Sequence, residues 1–335
     1  GDVSGFVAHS RKRVPDVHDQ AVVLSYMAAT IQHPGVKFQF ALFIQGVEGN
    51  GKTFLSRALA ECLGRRYVHW PKASKIAKQF NGWMVGKVLF CVEDIHTSEH
   101  TDVIEELKVM ITGGDGLEIE AKGVDQVSAE ICGNFMVNSN HKSGVRKTRN
   151  DRRWCVIFCA QQDVEDLTRD GMGEEYMTGL YDWAKAGGYA AIHEYLSTYP
   201  IPDALNPATH CQRAPRTSST DAAIEQGLGR LEQEELEAVE QERPGFAGGW
   251  ISSVFLDRLL TDLRKDGAMP PNKRRDLLVG LGYQWHPHLP KGRVHNIVLP
   301  DAGKPKLFIR KGHPAAALRL PAEIARAYTT AQGVA

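Results

Sequence analysis
The sequence is short of several things, and each shortage closes a class of function. No apolar run approaches the ~20 residues needed to cross a bilayer, so no membrane span is expected. None of the six cysteines (Cys62, Cys91, Cys132, Cys155, Cys159 and Cys211) forms a Cys-x-x-Cys pair. They are scattered, mostly inside apolar runs, which fits buried thiols in a reducing cytoplasm rather than a disulfide framework. Cys155 and Cys159 fall four apart on a predicted strand, on one face, with no histidine pair to complete a zinc site. His286, His288 and His295 likewise lack a cysteine or carboxylate at fixed spacing, so they are not read as metal ligands. No internal repeat is visible. There is no excess charge either: 40 basic residues balance 40 acidic ones, which by itself argues against a nucleic-acid partner. The chain opens Gly1-Asp2-Val3, with neither Met nor a signal-peptide profile, as expected of a piece whose natural start lies upstream.

The zero net charge is an average over segregated blocks. Asp221–Arg243 holds eight acidic and two basic residues, a net of −6. Ile251–Leu320 holds thirteen basic and five acidic, a net of +8. A basic C-terminal block beside an acidic helix says more about partners than the sum does. The length, 335 residues, suggests about two domains.

Hydrophobic periodicity predicts a helix over 17–33, ended by His33-Pro34-Gly35. Phe38–Ile44 and Val88–Val92 are continuous apolar runs, expected of strands buried on both faces. Helices are predicted over 52–63, 101–110 and 174–199. A hairpin is expected over 117–131, turning near Lys122-Gly123, and short strands over 135–138 and 155–158. Strands alternating with helices imply an α/β fold with a largely parallel sheet. Residues 200–220, rich in Pro, Ser and Thr, read as a linker, followed by a solvated acidic helix. The expected domains are 1–36, a short N-terminal helical segment; 37–199, the α/β body; 200–248, linker and acidic helix; and 249–335, a basic C-terminal domain.

The chemistry begins at Gly46-Val47-Glu48-Gly49-Asn50-Gly51-Lys52-Thr53, which fits G-x-x-x-x-G-K-[ST] between a predicted strand and a predicted helix. Glycines let backbone N–H groups curl around phosphates at the positive end of the helix that Phe54 continues. Lys52 is expected at the β- and γ-phosphates of ATP, and the Thr53 hydroxyl on Mg²⁺. A strand ending in Glu93-Asp94 supplies the acidic pair such a site needs. Glu93 is expected to hold Mg²⁺ through water and Asp94 to orient or deprotonate the attacking water, with the two roles open to exchange. Asn140, at the end of the strand 135–138, is placed to sense the γ-phosphate. Arg152 and Arg153 precede the strand 155–158, where one of them can reach a neighbouring subunit's γ-phosphate. That arrangement would make the site shared and oligomerisation obligatory. The absence of Asn-Lys-x-Asp argues against GTP.

With these motifs in place, residues 20–160 resemble the superfamily 3 helicases, the AAA+ motors of small DNA viruses, phages and plasmids. The distinguishing stretch is Leu107–Asp115 leading into Leu117–Gly123, which looks like the family's helix and β-hairpin. Gly46–Thr53, Phe80–Lys87 and Asp151–Trp154 are similar to phrases in the helicase halves of phage primase–helicases. The resemblance implies a ring, a hexamer, acting on single-stranded DNA in the cytoplasm of a bacterial host. It implies that Lys122 at the hairpin tip, beside Gly123 and with Lys108 on the helix before it, grips the DNA backbone. The Glu-Asp order of the acidic pair departs from the family and leaves the metal and base assignments open. No primase site is present, so any priming domain is expected upstream of Gly1.

The C-terminal domain reads as a helix over 250–263, a turn at Asp266-Gly267, a second helix opening with Lys273-Arg274-Arg275, and strands near 294–299 and 306–310. That is the outline of a winged helix whose basic helix would lie along DNA. Two other readings stay open: a P-loop motor of another kind, for which the Lys122 hairpin has no use, and an ATP-regulated origin-binding initiator, against which DNA-stimulated turnover would argue.

Overall fold
The computed structural model describes residues 1–333 apart from 77–80, 96–100, 114–116, 120–126, 146, 227–229, 264–277 and 295–304. The chain divides into two compact units, one of residues 1–147 with 151–227 and one of 148–150 with 228–335. Among the described residues no helix is long and apolar enough to cross a membrane.

The first unit is built on five parallel strands in the order β2-β3-β6-β1-β7. These are β1 (Ala41–Gln45), β2 (Val68–His69), β3 (Leu89–Val92), β6 (Asn134–Ser139) and β7 (Trp154–Phe158). Alternate residues feed two separate cores. Leu42, Ile44, Cys91, Met136, Cys155 and Ile157 enter one. Ala41, Phe43, Phe90, Val137, Trp154 and Val156 enter the other. Burial on both faces is why these strands read as unbroken apolar runs. The first core is closed by α1 (Ser4–Arg13), α2 (Val17–Gln32), α3 (Lys52–Leu63) and residues of α7 (Glu174–Trp183) and α8 (Tyr189–Ser197). Helix α2 starts at Asp16, whose side chain accepts from the Asp19 N–H. The second core takes α5 (Thr101–Thr112) and, through Ala223, α9 (Thr220–Gln226).

Several expectations need correcting. The strand expected from Phe38 begins at Ala41, because Phe38 and Phe40 pack on Tyr26 and the Phe38 N–H is taken by Asn134 Oδ1. The helical stretch 174–199 breaks at 184–188, where Gly187 sits at φ 120°. Residues 200–220 are not a free linker. Ala214 N–H donates to Arg152 O, the Thr217 hydroxyl donates to Val156 O, and Phe158 N–H donates to Ser219 Oγ. The segment thereby covers the open edge of β7. Strands β4 (Leu117–Ile119) and β5 (Val127–Ala129) pair antiparallel as the hairpin predicted, while its tip, Lys122-Gly123, lies outside the described residues.

The second unit carries a three-stranded antiparallel sheet, β8-β10-β9. Its strands are β8 (Trp250–Ser252), β9 (Tyr283–Trp285) and β10 (Leu307–Arg310). Helix α10 (Arg230–Glu240) and α11 (Ser253–Leu263) pack beside it, and a helix spans Pro321–Ala331. Trp250, expected to open a helix, is in a strand and stacks on His286 at 5.7 Å and 5°, which makes that histidine a core residue. The acidic segment expected to be solvated buries Glu235 and Ala238. Lys273, Arg274, Arg275 and His295 lie outside the described residues.

Candidate functional site
All strands of the five-stranded sheet run the same way, so the segments following β1, β3 and β6 emerge at one end. That carboxyl end of a parallel sheet is where α/β proteins place ligands. There the glycine-rich loop, Glu93-Asp94 and Asn140 meet around a cavity of about 690 Å³. Glu48, Gly49, Gly51, Lys52, Thr53, Glu93, Asp94 and Asn140 line one side. Gly46, Val47 and Asn50 shape the loop without lining the cavity. Phe54 is fully buried and packs edge-on against His9 and Tyr181, so its side chain belongs to the core.

Two glycines are dictated by geometry. A Cβ on Gly46 would lie 2.3 Å from Asn50 Nδ2 and 2.9 Å from Cys159 Cβ. Gly51 has φ 79° and sits against the His9 ring, 2.6 Å from where its Cβ would be. Lys52 Nζ donates to Gly46 O at 2.7 Å and Val47 O at 2.8 Å. Burial holds its proton affinity below the ordinary lysine value, and the neighbouring Arg13 guanidinium pushes the same way. Arg13 is itself fully buried: Nη2 donates to Cys159 Sγ at 3.3 Å, while Nε and Nη1 find no partner among the described residues. Two cations close together, at the N-terminus of α3, make this corner attractive to an anion.

The opposite corner suits a cation. The Thr53 hydroxyl donates to Glu93 Oε2 at 3.1 Å, and Asn138 Nδ2 donates to Glu93 Oε1 at 3.1 Å. Asp94 is exposed and held at φ 55°, an unusual backbone state for a residue with a Cβ; Asn140 Nδ2 donates to its Oδ1 at 3.4 Å. Asn138, buried on β6 and also bonded to Ser56 Oγ at 2.8 Å, was not singled out in the sequence, because an Asn inside a strand reads as incidental.

Sequence motifs also missed the far wall. Leu167 of α6 (Val164–Arg169), Met172, Gly173, Glu174, Met177 and Tyr181 line it. No spacing rule links them to a loop more than a hundred residues earlier. Beneath them His9 Nδ1 meets the Tyr176 hydroxyl at 3.2 Å. Burial, reinforced by Arg13, takes His9 down to about 3, so the folded protein holds it neutral. An unfolded histidine titrates near 6.5. Stability is therefore fully present above about pH 6.5 and is lost as pH falls toward 3, by at most about 1.4 kcal/mol per unit. His9→Gln is expected to flatten that acid limb in urea-unfolding curves at pH 5 to 7. An equally steep fall in the variant would locate the acid sensitivity elsewhere.

Of the remaining predicted residues, Arg152 is exposed and Arg153 half-buried, and both precede β7 at the far end of the sheet from the loop. Five residues of strand, roughly 16 Å, separate them from their own chain's Lys52. Lys108, expected to touch DNA, is instead largely covered, with its Nζ 2.8 Å from Glu105 Oε1 and 4.0 Å from Asp151 Oδ2.

Fold and site together describe a mixed α/β unit with a central parallel sheet and an acid- and cation-lined cavity at its carboxyl end. Comparison with known proteins agrees at the level of fold. Residues 44–153 match a family of unknown function, DUF5906. No curated protein matches the chain. Two apo structures of the NrS-1 C-terminal region are similar. One, of residues 305–718, aligns with TM-score 0.62 at 17% identity, over 91% of this chain and 74% of that one. The second, an A form, gives 0.56 at 17% identity, over 81% and 60%. A more distant likeness, TM-score 0.38 at 13% identity over 71% and 64%, is to JCV helicase bound to a small molecule.

Proposed function
We propose that this chain is an ATP-hydrolysing P-loop motor of the superfamily 3 type, a DNA helicase of phage or plasmid replication that works as a hexameric ring in the host cytoplasm. The observation that carries the reading is the bond from Thr53 to Glu93, with Asp94 and Asn140 paired beside it. A hydroxyl and a carboxylate facing each other across a loop rich in backbone N–H groups are the donor set for a Mg²⁺–polyphosphate. Lys52 would exchange its loop carbonyls for the β- and γ-phosphates. Thr53 and Glu93 would hold Mg²⁺, which neutralises phosphate charge when bound. Asp94, the more exposed acid, would orient the attacking water and take its proton, with Asn140 fixing it against the γ-phosphate. Arg152 or Arg153, too far from its own loop, would serve a neighbour's phosphate, so turnover would require assembly. The second unit, with its helices and three-stranded antiparallel sheet, suits a winged helix, and Lys273, Arg274 and Arg275 would lie along duplex DNA.

The test is unwinding of forked DNA with 3′ or 5′ tails, run beside mass measurement with and without ATP. A nucleotide-dependent ring that opens one fork is the expected result. ATP hydrolysis that DNA does not stimulate, with no unwinding, would leave a non-helicase P-loop motor. In the same assay Lys122→Ala is expected to keep ATPase and lose most unwinding, because one backbone grip per subunit disappears from the channel. Normal unwinding by that variant would remove the hairpin from the mechanism.

A further inference from the structure
We propose a second nucleic-acid site on the first unit, a basic and aromatic strip running from α3 past β2, with a seat for one base at its head. The strip follows from charge that the chain's zero total conceals. Between Arg57 and Lys87 there are seven basic residues and one acid, Glu61. Glu61 is already engaged, since Arg65 Nε donates to it at 2.7 Å. Arg57, Arg65, Arg66, Lys72 and Lys75 are exposed. Aromatic rings alternate with them: Tyr67 and Trp70 are each 37% exposed. Arg66 lies over the Tyr67 ring at 4.4 Å and Arg57 over Tyr181 at 5.8 Å.

At the head of the strip lies a cavity of about 640 Å³, distinct from the one beside the glycine-rich loop. Arg57, Arg65, Lys185, Trp70, Tyr181 and Tyr189 line it. Lys185 and Tyr189 are brought there by the break at Gly187, which parts α7 from α8. Arg57, Lys185 and an exposed indole around a volume of this size suit a base stacked between rings with its phosphates on the cations, while Arg65 is held by Glu61 in the same wall. A small inorganic anion has no use for the rings. An acidic protein segment would use the charges and leave Trp70 and Tyr189 without a partner of like shape. Single-stranded nucleic acid uses both. Because every base has a π face, such binding is independent of sequence and steep in salt.

Tyr181 lines both cavities, so a base seated here adjoins the wall of the nucleotide site. The inference draws its purpose from the motor reading, in which a strand must be held as ATP turns over. Its chemistry stands without that reading.

The experiment is fluorescence anisotropy of labelled dT20 with the full chain, without nucleotide, from 50 to 200 mM salt. Trp70→Ala is expected to weaken binding about tenfold, the loss of one stacked base. Arg57→Ala with Arg65→Ala is expected to weaken it and to lower the salt slope by about one to two units. Tryptophan fluorescence of the wild type should be quenched by dT20, and Trp70→Phe should lose that component. The weakening by Trp70→Ala should persist in a Lys122→Ala background, which separates the strip from the hairpin. Absence of forked-DNA unwinding would overturn the helicase reading and leave these affinities to be judged alone. Four results overturn the site: no dT20 binding by the wild type; dT20 affinity unchanged in both surface variants at unchanged thermal stability; lost self-association with DNA affinity intact, which would make the strip a protein contact; or a change in ATP affinity alone, which would assign the cavity to the nucleotide.

Discussion
Replacing Lys52 by Ala is expected to abolish ATP hydrolysis, with a loss on the order of a hundredfold or more, as for removal of one essential charge-stabilising donor. Lys52 is buried, and its Nζ rests on two carbonyls of its own loop, Gly46 O and Val47 O. Those are weak neutral acceptors for an ammonium whose charge burial already disfavours. Arrival of a triphosphate would offer charged acceptors instead, so the side chain is poised for exchange. Among the described residues no other cation lines this cavity, and Arg13 lies behind the loop against Cys159. Ala at 52 therefore leaves the phosphates with backbone N–H groups alone. The variant also frees the two loop carbonyls, so its thermal stability must be measured beside its ATPase rate. A folded variant hydrolysing ATP within about threefold of the wild type would remove the loop from the chemistry.

How far the sequence discloses this site depends on how local the determinants are. Gly46–Thr53 and Glu93-Asp94 are legible because each is contiguous and sits where a buried strand ends. The sheet is legible because both faces of β1, β3, β6 and β7 are covered, which forces unbroken apolar runs. Strand β2, of two residues, has no such run, and the edge it forms was not visible. Trp250 and Ile251 were read into a helix because apolar residues of α11 continue at helical spacing behind them. The stretch 200–220 misleads by composition: its hydroxyls suggest solvent, yet Thr217 and Ser219 satisfy the backbone of β7. The far wall of the cavity, from Leu167 to Tyr181, and His9 beneath it are set by tertiary packing, and no local pattern announces that.

The open question from the sequence, which acid of Glu93-Asp94 serves the metal, is one that geometry turns into a measurable split. Glu93 is half-buried and spends both oxygens, Oε2 on the Thr53 hydroxyl and Oε1 on Asn138. Glu93→Gln keeps one acceptor and turns an amide toward a donor, so it disturbs the partner of Thr53 as well as removing charge. Asp94 is exposed and, among the described residues, accepts one long bond, at 3.4 Å, from Asn140. Asn tolerates positive φ better than most residues, so Asp94→Asn keeps the backbone at φ 55° and removes only the charge and the proton acceptor. Glu93→Gln is therefore expected to raise the Mg²⁺ concentration needed for nucleotide binding and to lower turnover. Asp94→Asn is expected to bind Mg²⁺–ATP normally at the wild-type Mg²⁺ requirement while hydrolysis falls by roughly 10²- to 10⁴-fold, the range for losing a general base. A Mg²⁺ titration of fluorescent ATP-analogue binding, run beside steady-state ATPase, separates the two. If Asp94→Asn shifts the Mg²⁺ requirement and Glu93→Gln does not, the roles are exchanged. If both variants turn over ATP at the wild-type rate, the carboxylates are a strand cap and the ATPase reading falls with them.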